Sequence, residues 1–233
     1  MKTLFEFAEA LLELFFPKLC IACLLKNPLR EDLFCLSCKL ELPYTDQIDV
    51  IDNELEYRIY GRFKFERAAA LFRFRKASSV QTIIHQLKYK NRPHIGVELG
   101  REFGKRILAS EQFDIPDLII PIPLHHKKQK IRGYNQSYQF GKGIAEVLDI
   151  PIYGSVLSKV SDNNSQTKMN RLARLENVMN SYKLQNDSKI TGKHVLLVDD
   201  IITTGATIEA AAQKLLKSQN LKLSLAIIGM AEL

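Results

Sequence analysis

The chain has 233 residues, of which 46% are hydrophobic and 25% are charged, and its formal net charge is +7. This length and composition suit one α/β domain with a small appendage, and they exclude a fibrous or low-complexity chain. The excess of basic residues favours anionic partners such as phosphorylated ligands or nucleic acid, although a basic surface can also serve solubility alone.

The first residues predict an amphipathic helix that ends before Pro17. Leu4, Phe7, Leu11 and Leu14 recur at helical spacing. Acidic residues interrupt this stretch and no small-residue cleavage site follows it, so it is typical of neither a secretory signal nor a membrane span. We therefore expect a cytoplasmic protein without a membrane span, whose first helix packs on the protein itself. Contact with a membrane or a partner surface is the alternative.

Four cysteines form two Cys-x-x-Cys pairs separated by eleven residues, and they are Cys20, Cys23, Cys35 and Cys38. This spacing is typical of a tetrahedral Zn2+ site, and four thiolates leave no open position, so the predicted role is structural. Two disulfides are disfavoured in a reducing compartment, and a redox pair is the main alternative. We expect residues 1–45 to form the helix and a zinc knuckle, and residues 46–233 to form the main domain.

The rest of the chain alternates between strand and helix patterns. Residues 56–74 predict two strands joined by a turn at Phe63–Glu66. Helices are predicted at 78–89, where Ser78 and Gln81 are spaced as a capping box, and at 96–109. Next come a strand at 117–124, a basic loop at 125–136, a helix at 137–148, a strand at 150–157 and a polar stretch at 161–178. A strand at 194–200, a helix at 208–219 and a strand at 221–230 complete the chain.

This alternation predicts a mainly parallel sheet covered by helices on both faces. In such sheets, ligands bind beyond the carboxyl ends of the strands. Two segments follow a strand end in that way, namely the loop after 117–124 and the loop after 194–200. We therefore expect the functional site where these two loops meet.

The segment Val195–Thr207 combines a buried strand, two acids, a loop rich in Thr and Gly, and the start of a helix. Backbone N–H groups at a helix N-terminus bind phosphate, Gly205 permits close approach, and Thr hydroxyls add donors. Carboxylates beside a phosphate need a partner of their own, such as sugar hydroxyls or a divalent metal. The segment therefore predicts a ribose on Asp199 and Asp200 and a 5-phosphate on Thr203–Thr207. An ordinary helix N-cap would account for only one of the two acids.

The same segment resembles the phosphoribosyl pyrophosphate (PRPP) motif of type I phosphoribosyltransferases. Pyrophosphate then requires a second anion site, for which the basic loop at 125–136 is the candidate, and Mg2+ would accompany PRPP. The predicted PRPP-binding residues in this loop are Lys127, Lys128, Arg132, Gly133, Tyr134, Asn135 and Gln136. A solvated basic loop that touches nucleic acid is the alternative.

The polar stretch at 161–178 predicts a lid that brings a cation to the departing pyrophosphate, with an exposed helix as the alternative. Its polar residues include Gln166, Arg174 and Asn177. If the chain is an enzyme, we expect Asp199, Asp200, Arg132 and Arg174 to be its catalytic residues.

Several motifs occur in one order: the cysteine knuckle, HQLKYKNR at 85–92, IPIPLHHKKQKIRGYNQS, QTKMNRLARLENV and VLLVDDIITTGAT. Together they resemble the ComF family of competence-associated proteins over nearly the whole chain. The resemblance implies a zinc finger, a type I phosphoribosyltransferase-like domain and a link to DNA uptake. It matches the acids and Thr203, Thr204, Gly205, Ala206 and Thr207 to the ribose and 5-phosphate sites. Lys168 and Met169 depart from the lid pattern of the family.

Two functions fit these features. The first is a phosphoribosyltransferase that binds PRPP and Mg2+. The second is a non-catalytic adaptor that binds single-stranded DNA and passes it to competence or recombination proteins. A shared fold does not by itself establish catalysis. A purely structural zinc protein would leave the two-acid phosphate loop unexplained.

Overall fold

The structure, a computed structural model, describes residues 19–25, 28, 33–160 and 181–232. The predicted N-terminal helix and the predicted lid at 161–178 lie outside these residues. The boundary predicted at residue 45 also stays a prediction. Among the described residues, no helix has the length and apolar character needed to cross a bilayer.

Seven α-helices and six strands make up the described part of the chain. The helices are α1 (Leu36–Glu41), α2 (Glu54–Ile59), α3 (Ser79–Tyr89), α4 (Pro93–Ala109), α5 (His126–Arg132), α6 (Gln136–Leu148) and α7 (Ala206–Leu215). The strands are β1 (Ala68–Phe74), β2 (Leu118–Pro121), β3 (Leu157–Lys159), β4 (Tyr182–Leu184), β5 (His194–Ile202) and β6 (Lys222–Ala231). A 3-10 helix lies at Asp187–Lys189.

The main sheet has the strand order β1-β6-β5-β2, and every neighbouring pair is parallel. Val198 of β5 lies opposite Pro121 of β2 on one side and Ala226 of β6 on the other. β3 and β4 form a separate antiparallel pair. The predicted parallel sheet is therefore confirmed.

Both faces of the sheet are buried, as the apolar run in β5 predicts. Leu196 and Val198 belong to a cluster that includes Phe140 of α6. The alternate residues Val195 and Leu197 belong to a second cluster, which includes Leu215 of α7. Because side chains alternate along a strand, these clusters lie on opposite faces, and the predicted helices on both faces are present.

Helices α4 and α6 pack closely because glycines face each other at their contact. A Cβ added at Gly100 would overlap the carbonyl oxygen of Phe140, and one added at Gly143 would overlap that of Val97. Only glycine lets the two backbones approach this far. The helix positions were predicted from the sequence, but this contact was not.

The predicted first strand within 56–74 is wrong, because helix α2 begins at Glu54. Asn53 accepts hydrogen bonds from the backbone of Leu55 and Glu56, and the Glu56 side chain accepts one from the Asn53 backbone. This capping box starts a helix whose buried face contains Leu55 and Ile59. The aromatic residues that suggested a strand are exposed, with Tyr57 at 71% and Tyr60 at 80%.

The predicted strand at 150–157 is also wrong in extent. Ile152 alone forms a parallel bridge to Ile119, and the regular strand begins at Leu157. Pro151 has no N–H to continue a ladder, and a turn follows at Gly154. This segment therefore only touches the outer edge of β2.

Helix α3 connects the cysteine region to the sheet domain. Ser78 caps the helix by accepting from the Gln81 backbone, whereas the Gln81 side chain accepts from Ala77 and not from Ser78. Near the other end, the Gln86 side chain donates to the backbone oxygen of Ile21, between the first two cysteines. Buried residues of both regions belong to one hydrophobic cluster, so the knuckle packs on the main domain.

Candidate functional site

The carboxyl ends of β2 and β5 lie side by side. Ile122, just after β2, donates its N–H to the oxygen of Val198 at 3.0 Å. The segment after β2 and the segment after β5 therefore leave the sheet from adjacent positions, as the parallel arrangement predicts.

Asp199 is the more buried member of the acid pair, by which we mean Asp199 and Asp200. Its Oδ1 accepts a hydrogen bond from Ser137 Oγ at 2.8 Å and another from the Asp200 N–H at 2.9 Å. Burial, followed by the charge of Asp200, raises the pKa of Asp199 to about 7, while the Ser137 hydrogen bond and Lys88 act in the opposite direction. The site therefore holds a carboxyl group whose charge changes near neutral pH.

Asp200 pairs with a lysine that the sequence analysis did not assign to the site. Lys88 Nζ lies 2.9 Å from Asp200 Oδ2, and the two side chains are only 17% and 13% exposed. One signal was present in the sequence, because Lys88 follows the buried residues Ile84 and Leu87 on the apolar side of α3. Ser137 was also missed, since a lone serine in a helix carries no pattern.

The threonine loop, residues 203–207, connects β5 to α7. Gly205 has a φ of +84°, which favours glycine, and it caps α7 without a side-chain hydrogen bond. Thr203, Thr204 and Thr207 are exposed, and Ala206 is half-buried. The loop thus presents hydroxyl groups and a helix N-terminus at the sheet edge.

Two arginines that the sequence analysis missed hold this loop from outside. Arg62 donates to the carbonyl oxygen of Thr204 and lies 3.8 Å from the carboxylate of Glu209. Arg58 lies 3.5 Å from the carbonyl oxygen of Thr203. Because these contacts use loop carbonyls, they leave the threonine hydroxyls available for a ligand.

The predicted basic loop at 125–136 contains a helix, α5, which ends at Gly133 with a φ of +79°. His125 caps the first turn of α5, and the Lys and Arg residues of α5 favour helix. The helix was not predicted because none of its residues is buried, so its sequence has no apolar periodicity. Lys127 and Lys130 are exposed on this helix, and Lys128 is half-buried.

The end of this segment is held by contacts within the protein. Arg132 donates to Gln136 at 2.8 Å, and the Tyr134 hydroxyl donates to the carbonyl oxygen of Leu87 in α3. Asn135 donates to the oxygen of Ile122 at 2.9 Å and accepts from Ser137 N at 3.1 Å. These contacts set the start of α6, and with it the position of Ser137 beside Asp199.

The predicted lid residues Gln166, Arg174 and Asn177 lie outside the described residues. The structure does describe β3 and β4, the two strands that flank the segment. Burial, and then the charge of Asp199, raises the pKa of Tyr182 at the start of β4. Tyr182, which follows the predicted lid in the chain, therefore lies close to Asp199.

The four cysteines form one cluster, and their sulfur atoms all lie within 4.8 Å of one another. Burial, followed by the neighbouring thiols, raises the pKa of Cys38. Four sulfur atoms at such close range fit the ligand set of a tetrahedral metal ion that prefers soft ligands, such as Zn2+. A bound Zn2+ would hold the four cysteines as thiolates.

Residues 135–231 match the family model described as a phosphoribosyl transferase domain. This span starts at the residue that caps α6, and it includes Ser137, the acid pair and the threonine loop. Together with the parallel sheet and the clustered cysteines, the match defines a type I phosphoribosyltransferase-like fold with an N-terminal four-cysteine knuckle.

Three relatives make the assignment more specific. Competence protein F of Haemophilus influenzae is 30% identical over 139 residues, which cover 58% of this chain and 61% of that protein. DNA utilization protein YhgH of Salmonella typhimurium is 29% identical, over 58% of this chain and 60% of that protein. Competence protein ComFC of Bacillus subtilis is 33% identical, over 43% of this chain and 38% of that protein. The chain is therefore similar to proteins of the ComF family, and its match spans about three fifths of the length of the first two relatives.

Proposed function

We propose that this protein binds the phosphoribosyl group of PRPP at the shared edge of β2 and β5. The ribose hydroxyls donate to the acid pair, and the 5-phosphate binds the threonine loop at the N-terminus of α7. The observation that carries this proposal is the hydrogen bond between Ser137 and Asp199, because it joins the segment after β2 to the acids at the end of β5.

The basic segment after β2 is the proposed pyrophosphate site. Lys127 and Lys128 lie on α5 and Arg132 lies at its end, beyond the same sheet edge as the acids. Cations and backbone amides in this position would balance the charge of pyrophosphate, with Mg2+ accompanying the substrate. Gly133 ends α5, Tyr134 donates to Leu87 of α3, and Asn135 accepts from Ser137 of α6. With Gln136, which accepts from Arg132, these residues shape the segment.

The proposed reaction is a phosphoribosyl transfer. A nitrogen nucleophile forms a bond to C1 of the ribose, the bond from C1 to the pyrophosphate oxygen breaks, and pyrophosphate leaves with the electron pair. The acid pair would position the sugar, and Arg132 with Arg174 would stabilise the charge on the leaving group. Release of pyrophosphate from PRPP, measured with a panel of nucleobases, tests catalysis separately from binding.

Calorimetry tests the binding site. The double variant Asp199→Ala/Asp200→Ala is expected to lose PRPP binding, because the sugar loses both of its acceptors. Asp49→Ala/Asp114→Ala is a matched control that removes the same charge from exposed positions. Unchanged affinity in the first variant would refute the site.

We further propose that the cysteine cluster holds a structural Zn2+ through Cys20, Cys23, Cys35 and Cys38. The ion would fix the knuckle, which contacts α3 through Ile21 and Gln86. Its chemistry is limited to holding thiolates together, because four protein ligands complete its coordination.

A second candidate function is binding of single-stranded DNA, as an adaptor to competence or recombination proteins. The net charge of +7, the basic segment Lys127–Arg132 and the loop that contains Tyr134 motivate this alternative, but the Tyr134 hydroxyl donates to the carbonyl oxygen of Leu87. The structure offers Tyr89 instead, which is 58% exposed, with the Arg132 guanidinium 5.4 Å from its ring centre. An exposed aromatic ring beside the cations of α5 suits a stacked base and a phosphate backbone.

This candidate is tested with an oligothymidylate at several salt concentrations. Binding is expected to weaken as salt rises and to weaken again in Tyr89→Ala, whereas Tyr57→Ala, at a site 71% exposed, should bind like the unaltered protein. Salt-sensitive DNA binding without turnover of PRPP would favour the adaptor over the enzyme.

A further inference from the structure

We propose that Lys88 is the counter-cation of the acid pair, and that the site therefore binds the ribose of a phosphoribosyl ligand with no divalent metal on the aspartates. The inference rests on the proposed function and specifies how the same site recognises its ligand. It assigns Lys88 as a positioning residue for Asp200.

The ion pair is short and largely withdrawn from solvent. Lys88 Nζ lies 2.9 Å from Asp200 Oδ2, and both side chains are less than one-fifth exposed, at 17% and 13%. Screening by water is weak at such exposure, so the attraction is stronger than that of a surface pair. The ammonium group also offsets the repulsion that two adjacent carboxylates would exert on each other and on a nearby phosphate.

The backbone that carries Lys88 is held on both sides. Leu87 accepts a hydrogen bond from the Tyr134 hydroxyl, and Gln86 donates to Ile21 in the cysteine region. Arg92 in turn donates to the Gln86 side chain at 2.6 Å. These contacts fix the last turn of α3, and this position directs Lys88 toward Asp200.

The acid pair in this arrangement does not fit a divalent cation. Donors already engage Asp199 Oδ1 and Asp200 Oδ2. Mg2+ requires close octahedral oxygen coordination, and a dication at the acids would lie near the Lys88 ammonium and repel it. Within the described residues, Asp199 Oδ2 and Asp200 Oδ1 have no hydrogen-bond partner, and sugar hydroxyls are donors suited to them. Any Mg2+ would accompany the pyrophosphate group instead.

Ribose 5-phosphate is the appropriate probe, because it has the sugar and the 5-phosphate but no pyrophosphate. Its Kd is measured by calorimetry in magnesium-free buffer and with MgCl2. A chelator used to remove magnesium could also remove zinc from the knuckle, so the zinc content of the protein is checked. We expect the unaltered protein to have the same Kd in both buffers. Lys88→Met should bind roughly tenfold or more weakly without magnesium and recover part of the loss with it.

Lys90→Met is the matched control, because it removes the same charge from an exposed position two residues further on. It should bind like the unaltered protein. Two results would overturn the inference and leave the proposed function intact. The first is binding by the unaltered protein only with MgCl2, and the second is an unchanged Kd in a folded Lys88→Met variant. No binding in either buffer would instead overturn the proposed function. If Lys88→Met does not fold, the comparison of buffers for the unaltered protein decides alone.

Discussion

Ser137 and Asp199 are 62 residues apart in the chain, yet the serine hydroxyl donates to the aspartate carboxylate at 2.8 Å. The serine lies in the first turn of α6, and its backbone N–H is bound by Asn135. The segment after β2 therefore places a hydrogen-bond donor on an acid at the end of β5, and this donor lowers the pKa of Asp199 against the larger effect of burial.

Replacing Ser137 with alanine should raise the pKa of Asp199. The hydrogen bond stabilises the ionised carboxylate, so its loss favours the protonated form. An NMR titration of the aspartate carboxyl carbons measures the change.

Ser224→Ala provides the control for that titration. Ser224 is also fully buried, but its hydroxyl contacts His194 at 2.9 Å and not the acid pair. A pKa that moves equally in both variants, or in neither, would contradict a specific role for Ser137.

Asp199→Asn should stabilise the fold at alkaline pH. The folded-state pKa of Asp199 is raised from 3.8 to about 7, so its stabilising contribution is present at low pH and is lost as the pH rises toward 7. Asparagine carries no charge and keeps an oxygen that can accept from Ser137. At pH 8 the variant should exceed the unaltered protein in unfolding free energy by roughly 2 to 4 kcal/mol.

Urea unfolding at pH 5 and at pH 8 measures this difference. The advantage of the variant should shrink at the lower pH, where Asp199 is largely protonated in the folded protein. An equal difference at both values would show that ionisation of Asp199 is not its cause.

Cys35→Ser should lower both the zinc content and the stability of the protein. Three remaining thiolates hold the ion less well, and loss of a structural metal costs about 4 kcal/mol or more. Elemental analysis should give one zinc per chain for the unaltered protein. Ser37→Ala, between two of the ligands, is the control, and a zinc-free protein with unchanged stability after Cys35→Ser would refute the site.

Gly143→Ala should destabilise the protein by roughly 3 kcal/mol, because the added methyl group would overlap the Val97 backbone and force α4 and α6 apart. Denaturant unfolding measures the loss. Gly229→Ala is the control, since its added Cβ would meet Ile84 at an ordinary 3.4 Å. Equal losses in the two variants would contradict the proposed close helix contact.

The sequence alone determined the parallel α/β sheet, the acids at a strand end and the clustered cysteines. Each of these follows from a local pattern, because an apolar run marks a strand buried on both faces, and thiols two residues apart share a turn. The prediction of a strand was wrong at α2, because exposed tyrosines gave the segment a strand-like composition and the Asn53 capping box was overlooked.

Only the tertiary structure decided which side chains surround the acid pair. Lys88 and Ser137 come from two different helices, and Arg62 reaches the threonine loop from beyond α2. Local patterns do not encode contacts between residues so far apart, because folding brings these side chains together through the packing of whole elements. The strand end supplied the acids, and the packing of α3 and α6 against the sheet brought Lys88 and Ser137 into contact with them.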